Sequence, residues 1–239
     1  MSNMKFLAHC MELRKRLYYL LVFLLISFCI SYFFAEQIYS FLLVPLKNLD
    51  NLESSRRLIF TALPEAFTSY IRLSFFIGLL ISFPYINWHL YRFIAPGLYR
   101  TERRFCQMVF LLSPILFYVG CFFSYYFIFP LAWEFFVSFE NISGSLPMIL
   151  EAKISEYLSF SMRIIIAFGI AFQLPILLIL LIKSGAVNRD NLVKRRKYAL
   201  LLFFIIGAII TPPDVISQIG IAIPMYLLYE LTLLFTKRI

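Results

Sequence analysis

The sequence predicts an all-α integral membrane protein: a single six-helix membrane domain over residues 1–239, with N-terminus and C-terminus cytoplasmic and the fifth and sixth spans short. Three observations lead there. Hydrophobic residues make up 62% of the chain, well above the half or so of a soluble domain, so lipid is the expected solvent. The apolar residues gather into six runs, about 17–35, 69–89, 108–129, 158–182, 198–210 and 215–235. The basic residues crowd into alternate connections between those runs.

Each element has its own justification. Met1 to Arg16 is basic, with Met4, Leu7 and Met11 at helical spacing, which suits a helix lying along the membrane surface. Residues 17–35 are uncharged and long enough for ~30 Å of hydrocarbon. Their length, and the Ala-Glu-Gln sequence that follows, fit a retained helix better than a cleaved leader. Residues 36–68 read as a mixed loop with Pro45 and Pro64. The second run carries Arg72 near its start, where the side chain can reach water, and Pro84 as a kink.

The third run contains Pro114 and is expected to end at Pro130, giving way to an acidic loop over 131–157. The fourth is interrupted by Arg163, Gln173 and Pro175. The fifth has thirteen residues before Thr211-Pro212-Pro213-Asp214, short of the ~20 that spanning normally takes. In that turn the prolines stop one helix and Asp214 can cap the next.

Charge gives the orientation. The N-terminus, the bridge around residues 92–104, the bridge 183–197 and the C-terminus together hold sixteen Lys and Arg; the opposite connections hold four. The positive-inside bias puts the basic side in the cytoplasm. The net charge of +9 is therefore read as loops held at an anionic leaflet rather than as a nucleic-acid surface. Four cysteines without C-x-x-C spacing and two isolated histidines, His9 and His89, point to no metal site or cofactor.

Two carboxylates stand out on the basic side. Glu12 lies in His9-Cys10-Met11-Glu12-Leu13-Arg14-Lys15-Arg16, and Glu102 lies in Thr101-Glu102-Arg103-Arg104. Each sits among arginines that hold it ionised. One reading is a receptor for a cationic peptide, whose guanidinium groups pair with carboxylates through parallel hydrogen bonds. The other is ordinary surface ion pairing, which is common and weak.

Several motifs, in order, resemble the TatC family, the multi-span core of the twin-arginine protein translocase. His9 to Leu17 resembles its His-Leu-x-Glu-Leu-Arg-x-Arg-Leu signature, with Cys10 in place of Leu. Phe93-Ile94-Ala95-Pro96 through Glu102-Arg103-Arg104 resembles its first basic bridge. Phe172-Gln173-Leu174-Pro175 and Thr211 to Gln218 resemble parts of its last three spans. Where the family usually carries a glutamate, this chain has Gln173.

The resemblance implies binding of twin-arginine signal peptides at Glu12 and Glu102, with Arg14 and Phe93 supporting. It implies contact with TatA-like and TatB-like single-span subunits near Gln173, Ala208, Thr211 and Gln218; the other reading of Gln173 and Gln218 is hydrogen bonding between helices of this one chain. It gives Pro45 and Asp214 places in the translocation loops, and it implies a homo-oligomer within a complex in a bacterial inner membrane or an organelle membrane of bacterial descent. The chain is expected to be no enzyme: it lacks H-E-x-x-H, G-x-S-x-G and paired intramembrane aspartates. The alternative is a small-solute secondary transporter, since prolines within spans allow broken helices around a site.

Overall fold

The computed structural model describes residues 2–45, 59–60, 62, 64–95, 100–138, 153–210 and 215–236; at 2–10, 94, 100–102, 210 and 215–217 it describes the backbone alone. The helices are α1 (Ser2–Phe33), α2 (Ala35–Leu42), α3 (Glu65–Ile94), α4 (Arg100–Phe123), α5 (Phe129–Val137), α6 (Ile154–Ala171), α7 (Leu174–Lys183), α8 (Arg189–Lys194), α9 (Arg196–Ile210) and α10 (Val215–Phe235). A π-helical turn, Ser124–Ile128, joins α4 to α5. Among the described residues, five stretches are long and apolar enough to cross a bilayer: Met11–Phe33, Glu65–Phe93, Arg103–Val137, Ile154–Lys183 and Gln218–Phe235. Helix α9, with 15 residues, is about 22 Å long and falls short of that length.

Three local outcomes differ from the sequence reading. The basic N-terminal segment continues into the first span as one helix, rather than forming a separate surface helix. Pro130 does not end the third span. It lies in the first turn of α5, directly after the π-helical turn, and the helix runs on to Val137. The fourth span is two helices, α6 and α7, separated at Phe172 and Gln173. Pro175 lacks the N–H that would continue the ladder there.

The chain forms two compact units, Met1–Ser40 with Phe67–Pro114, and Phe41–Ala66 with Ile115–Ile239. In the first unit, α1 meets α3 at Gly78, where an added Cβ would lie 3.0 Å from the Phe28 backbone nitrogen. Buried Ser27, Ser31 and Ser82 keep the side chains small along these two helices. The Phe23 and Tyr85 rings stack at 4.3 Å. Between α3 and α4, Asn87 donates to the Phe110 carbonyl, and Tyr91 packs on Phe110.

The second unit has its core at Ile164, Phe168, Ile221, Ala222 and Leu233, all essentially without exposure. Helices α4 and α6 approach closely because Gly120 faces the Phe168 backbone and Gly169 faces the Phe117 ring. Tyr125 and Tyr157 donate to the Phe41 and Leu42 carbonyls, each at 2.6 Å. Buried Glu65 accepts from the Ser155 hydroxyl at 2.6 Å and the Ala62 amide at 3.2 Å.

A Cβ at residue 120 would come within 2.5 Å of the Phe168 oxygen, whereas one at 220 meets nothing closer than 3.6 Å. Gly120→Ala is expected to destabilise the protein by about 1–3 kcal/mol, and Gly220→Ala far less. Thermal unfolding in detergent checks the contrast.

Candidate functional site

The first unit carries a cleft of about 760 Å³ at the basic end of its helices. Helix α1 contributes Glu12 and Arg16. Helix α3 contributes Trp88, Tyr91 and Arg92. The first turns of α4 contribute Arg103, Arg104 and Gln107. Three remote stretches of sequence meet here because α1 and α3 pack at their glycine and serine positions, and α4 is held to α3 through Asn87.

Arg16 organises the acid. It lies four residues after Glu12, so both side chains share one face of α1. Its Nε donates to Glu12 Oε1 at 3.1 Å, and its Nη2 donates to the same oxygen. Its Nη1 donates to the His89 carbonyl on α3 at 2.9 Å. The guanidinium is thus fixed at two places and holds the carboxylate through one oxygen. Oε2 has no donor among the described residues, and a carboxylate oxygen can accept more than one bond. The Glu12 side chain keeps 43% of its exposure, so that oxygen is open to an incoming donor.

The sequence-predicted residues fall unevenly on this geometry. Glu12 lines the cleft. Glu102 lies in the first turn of α4, immediately before Arg103 and Arg104; its side chain lies outside the described residues. Arg14 is exposed, and neither it nor half-buried Phe93 lines the cleft. Arg16, Trp88, Tyr91, Arg92 and Gln107 do, and sequence reasoning had not singled them out. The i,i+4 spacing of Glu12 and Arg16 was the available signal for one of them; the rest depend on helix packing.

A second concavity, about 680 Å³ and mostly apolar, lies in the other unit. Arg163, Ile170 and Gln173 line it from α6 and its end, with Leu177 from α7, Ile206 from α9 and Met225 from α10. Exposed Arg163 has no carboxylate partner among the described residues. Gln173 is half-buried at the break between α6 and α7. Ala208 is exposed on α9. Gln218 donates to the Phe204 carbonyl at 3.0 Å, and the Gln218 backbone packs closely on Gly207. Pro45 is buried. Thr211 and Asp214 lie outside the described residues.

The family described as Sec-independent protein translocase protein (TatC) matches residues 8–224. The chain belongs to the TatC family. It is 46% identical to the Sec-independent protein translocase protein TatC of Rickettsia prowazekii, over all of this chain and 95% of that one. It is 36% identical to the protein of the same name from Escherichia coli strain K12, over 97% and 87% of the two chains. A crystal structure of a twin arginine translocase receptor, TatC, superposes with a TM-score of 0.80 at 34% identity, covering 96% of this chain and 98% of that one. The small-solute transporter reading finds no support in these likenesses.

Gln218→Leu keeps the bulk of the side chain and removes the donor to Phe204. It is expected to lower stability by about 0.6–1.7 kcal/mol, read as a lower unfolding midpoint in detergent.

Proposed function

We infer that this chain is the non-enzymatic core subunit of a Sec-independent, twin-arginine protein translocase, and that the cleft on α1, α3 and α4 receives the arginine pair of a signal peptide. One observation carries the reading. Glu12 and Arg103, 91 positions apart in sequence, line the same cleft with Arg104, and Glu102 immediately precedes Arg103.

The physical argument is one of charge placement. An arginine pair approaching a basic rim is repelled unless carboxylates are presented to it. Arg16 holds Glu12 by one oxygen and leaves the other available. A guanidinium can add a charge-assisted hydrogen bond there, and its planar fork suits a carboxylate better than an ammonium does. Glu102 would take the second arginine. The positive-inside count supports a cytoplasmic cleft and cytoplasmic termini, in a bacterial inner membrane or an organelle membrane of bacterial descent.

The second concavity suits a transmembrane segment of a TatA-like or TatB-like subunit. Its walls are apolar, and Gln173 offers an amide where a carboxylate is usual in the family. An amide still hydrogen-bonds a neighbouring helix and is cheaper to hold in hydrocarbon. The short α9 supports local thinning of the bilayer beside that contact. Several copies of the chain would assemble within one complex.

Charge reversal tests the cleft. Glu12→Lys and Glu102→Lys are each expected to abolish crosslinking to a twin-arginine peptide while helicity and detergent elution stay unchanged. Changing both peptide arginines to lysine should weaken capture by the unaltered protein about tenfold. Equal capture of both peptides defeats the reading. For the second contact, Gln173→Leu is expected to reduce co-purification of single-span subunits several-fold without loss of peptide crosslinking.

A further inference from the structure

The basic cleft holds more positive charge than a peptide receptor needs. Four guanidinium groups, those of Arg16, Arg92, Arg103 and Arg104, line it against one described carboxylate, Glu12. Counting Glu102 from the sequence still leaves an excess of two positive charges. Arg16 is committed to Glu12 and to the His89 carbonyl. Arg92, Arg103 and Arg104 are exposed and have no carboxylate partner among the described residues.

Three such arginines along one cleft repel each other, and they lower their energy by sharing an anion. The cleft volume lies within the range of about 300–1,000 Å³ typical of small-ligand sites. Its wall also carries Trp88, 48% exposed, and Tyr91, 6% exposed, with ring centroids 6.0 Å apart. An amphipathic ring beside cationic groups at the end of an apolar helix is the environment of a lipid headgroup level. Basic pockets between transmembrane helices bind anionic headgroups in the same way.

We propose that Arg92, Arg103 and Arg104 form a phosphodiester site that takes the headgroup of one anionic phospholipid, with Trp88 seated against its glycerol and upper acyl chain. Arginine suits this role because its fork meets two phosphate oxygens at once. The bound phosphate neutralises the arginines that oppose a cationic peptide. It therefore lowers the repulsion at Glu12 instead of competing for it. The proposal goes beyond the peptide reading and does not rest on it.

The test uses the full chain in nanodiscs of equal phosphatidylglycerol and phosphatidylcholine, followed by native mass spectrometry of the retained lipid. One phosphatidylglycerol is expected per chain, retained about tenfold over phosphatidylcholine. The triple variant Arg92→Gln, Arg103→Gln, Arg104→Gln should lose that preference. The triple variant Lys194→Gln, Arg195→Gln, Lys197→Gln, which also removes three positive charges but lies outside the cleft, should keep it. If the cleft triple variant fails to insert, Arg92→Gln alone should give a partial loss. Equal retention of the two lipids overturns the proposal, as does an unchanged preference in the cleft variants. A further arm adds millimolar inorganic phosphate. Persistent phosphatidylglycerol supports a lipid site, whereas its replacement by bound inorganic phosphate shows a free-anion site and overturns the lipid assignment.

Discussion

Two helices in a bilayer gain little by hiding apolar surface from lipid that is itself apolar. Their association rests on close backbone approach and on polar groups that find partners. This protein uses both devices throughout. Gly78, Gly120 and Gly169 let helices come within contact distances that any side chain would obstruct. Side chains then bond backbone carbonyls near helix ends. Phe41 and Leu42 end α2, and they accept from Tyr125 and Tyr157. Leu192 and Leu233 lie in the last turns of α8 and α10, and they accept from Tyr229 and Arg189. Each of these bonds ties an element end to a neighbour, and the Leu192 carbonyl accepts its bond alongside one from the Arg195 amide.

The same economy shapes the basic cleft. Arg16 could have been a surface cation with a passing acidic neighbour. Its bond to the His89 carbonyl makes it a fixed strut between α1 and α3. Glu12 inherits that rigidity through two donors on one oxygen. The carboxylate is therefore presented in one orientation and need not be ordered by an arriving ligand, which reduces the entropic cost of binding.

Much of the fold was legible in the sequence because hydrocarbon demands continuous apolar helices. The runs near 69–89 and 215–235 fall within α3 and α10 for that reason. Pro130 misled because a helix can carry a proline where its ladder shifts register, and here a π-helical turn directly precedes it. In the candidate site, Glu12 was legible as an acid among bases. Arg92 and Trp88 were not, since their membership depends on how α3 is rotated against α1, and that is set by Gly78 and the buried serines. Gln218 shows the reverse case. The family resemblance implied a partner contact, while its amide donates to an internal carbonyl on α9, the other reading open for it.

The interruption between α6 and α7 has a mechanical side. Pro175 offers no amide hydrogen, so the Ala171 carbonyl is without its usual helical donor, and the rod has an elbow at the level of Gln173. Where a helix lacks a ladder bond beside a groove, bending costs less than in an unbroken rod. A guest that bonds at this depth would stiffen the joint and so fix the spacing that it needs.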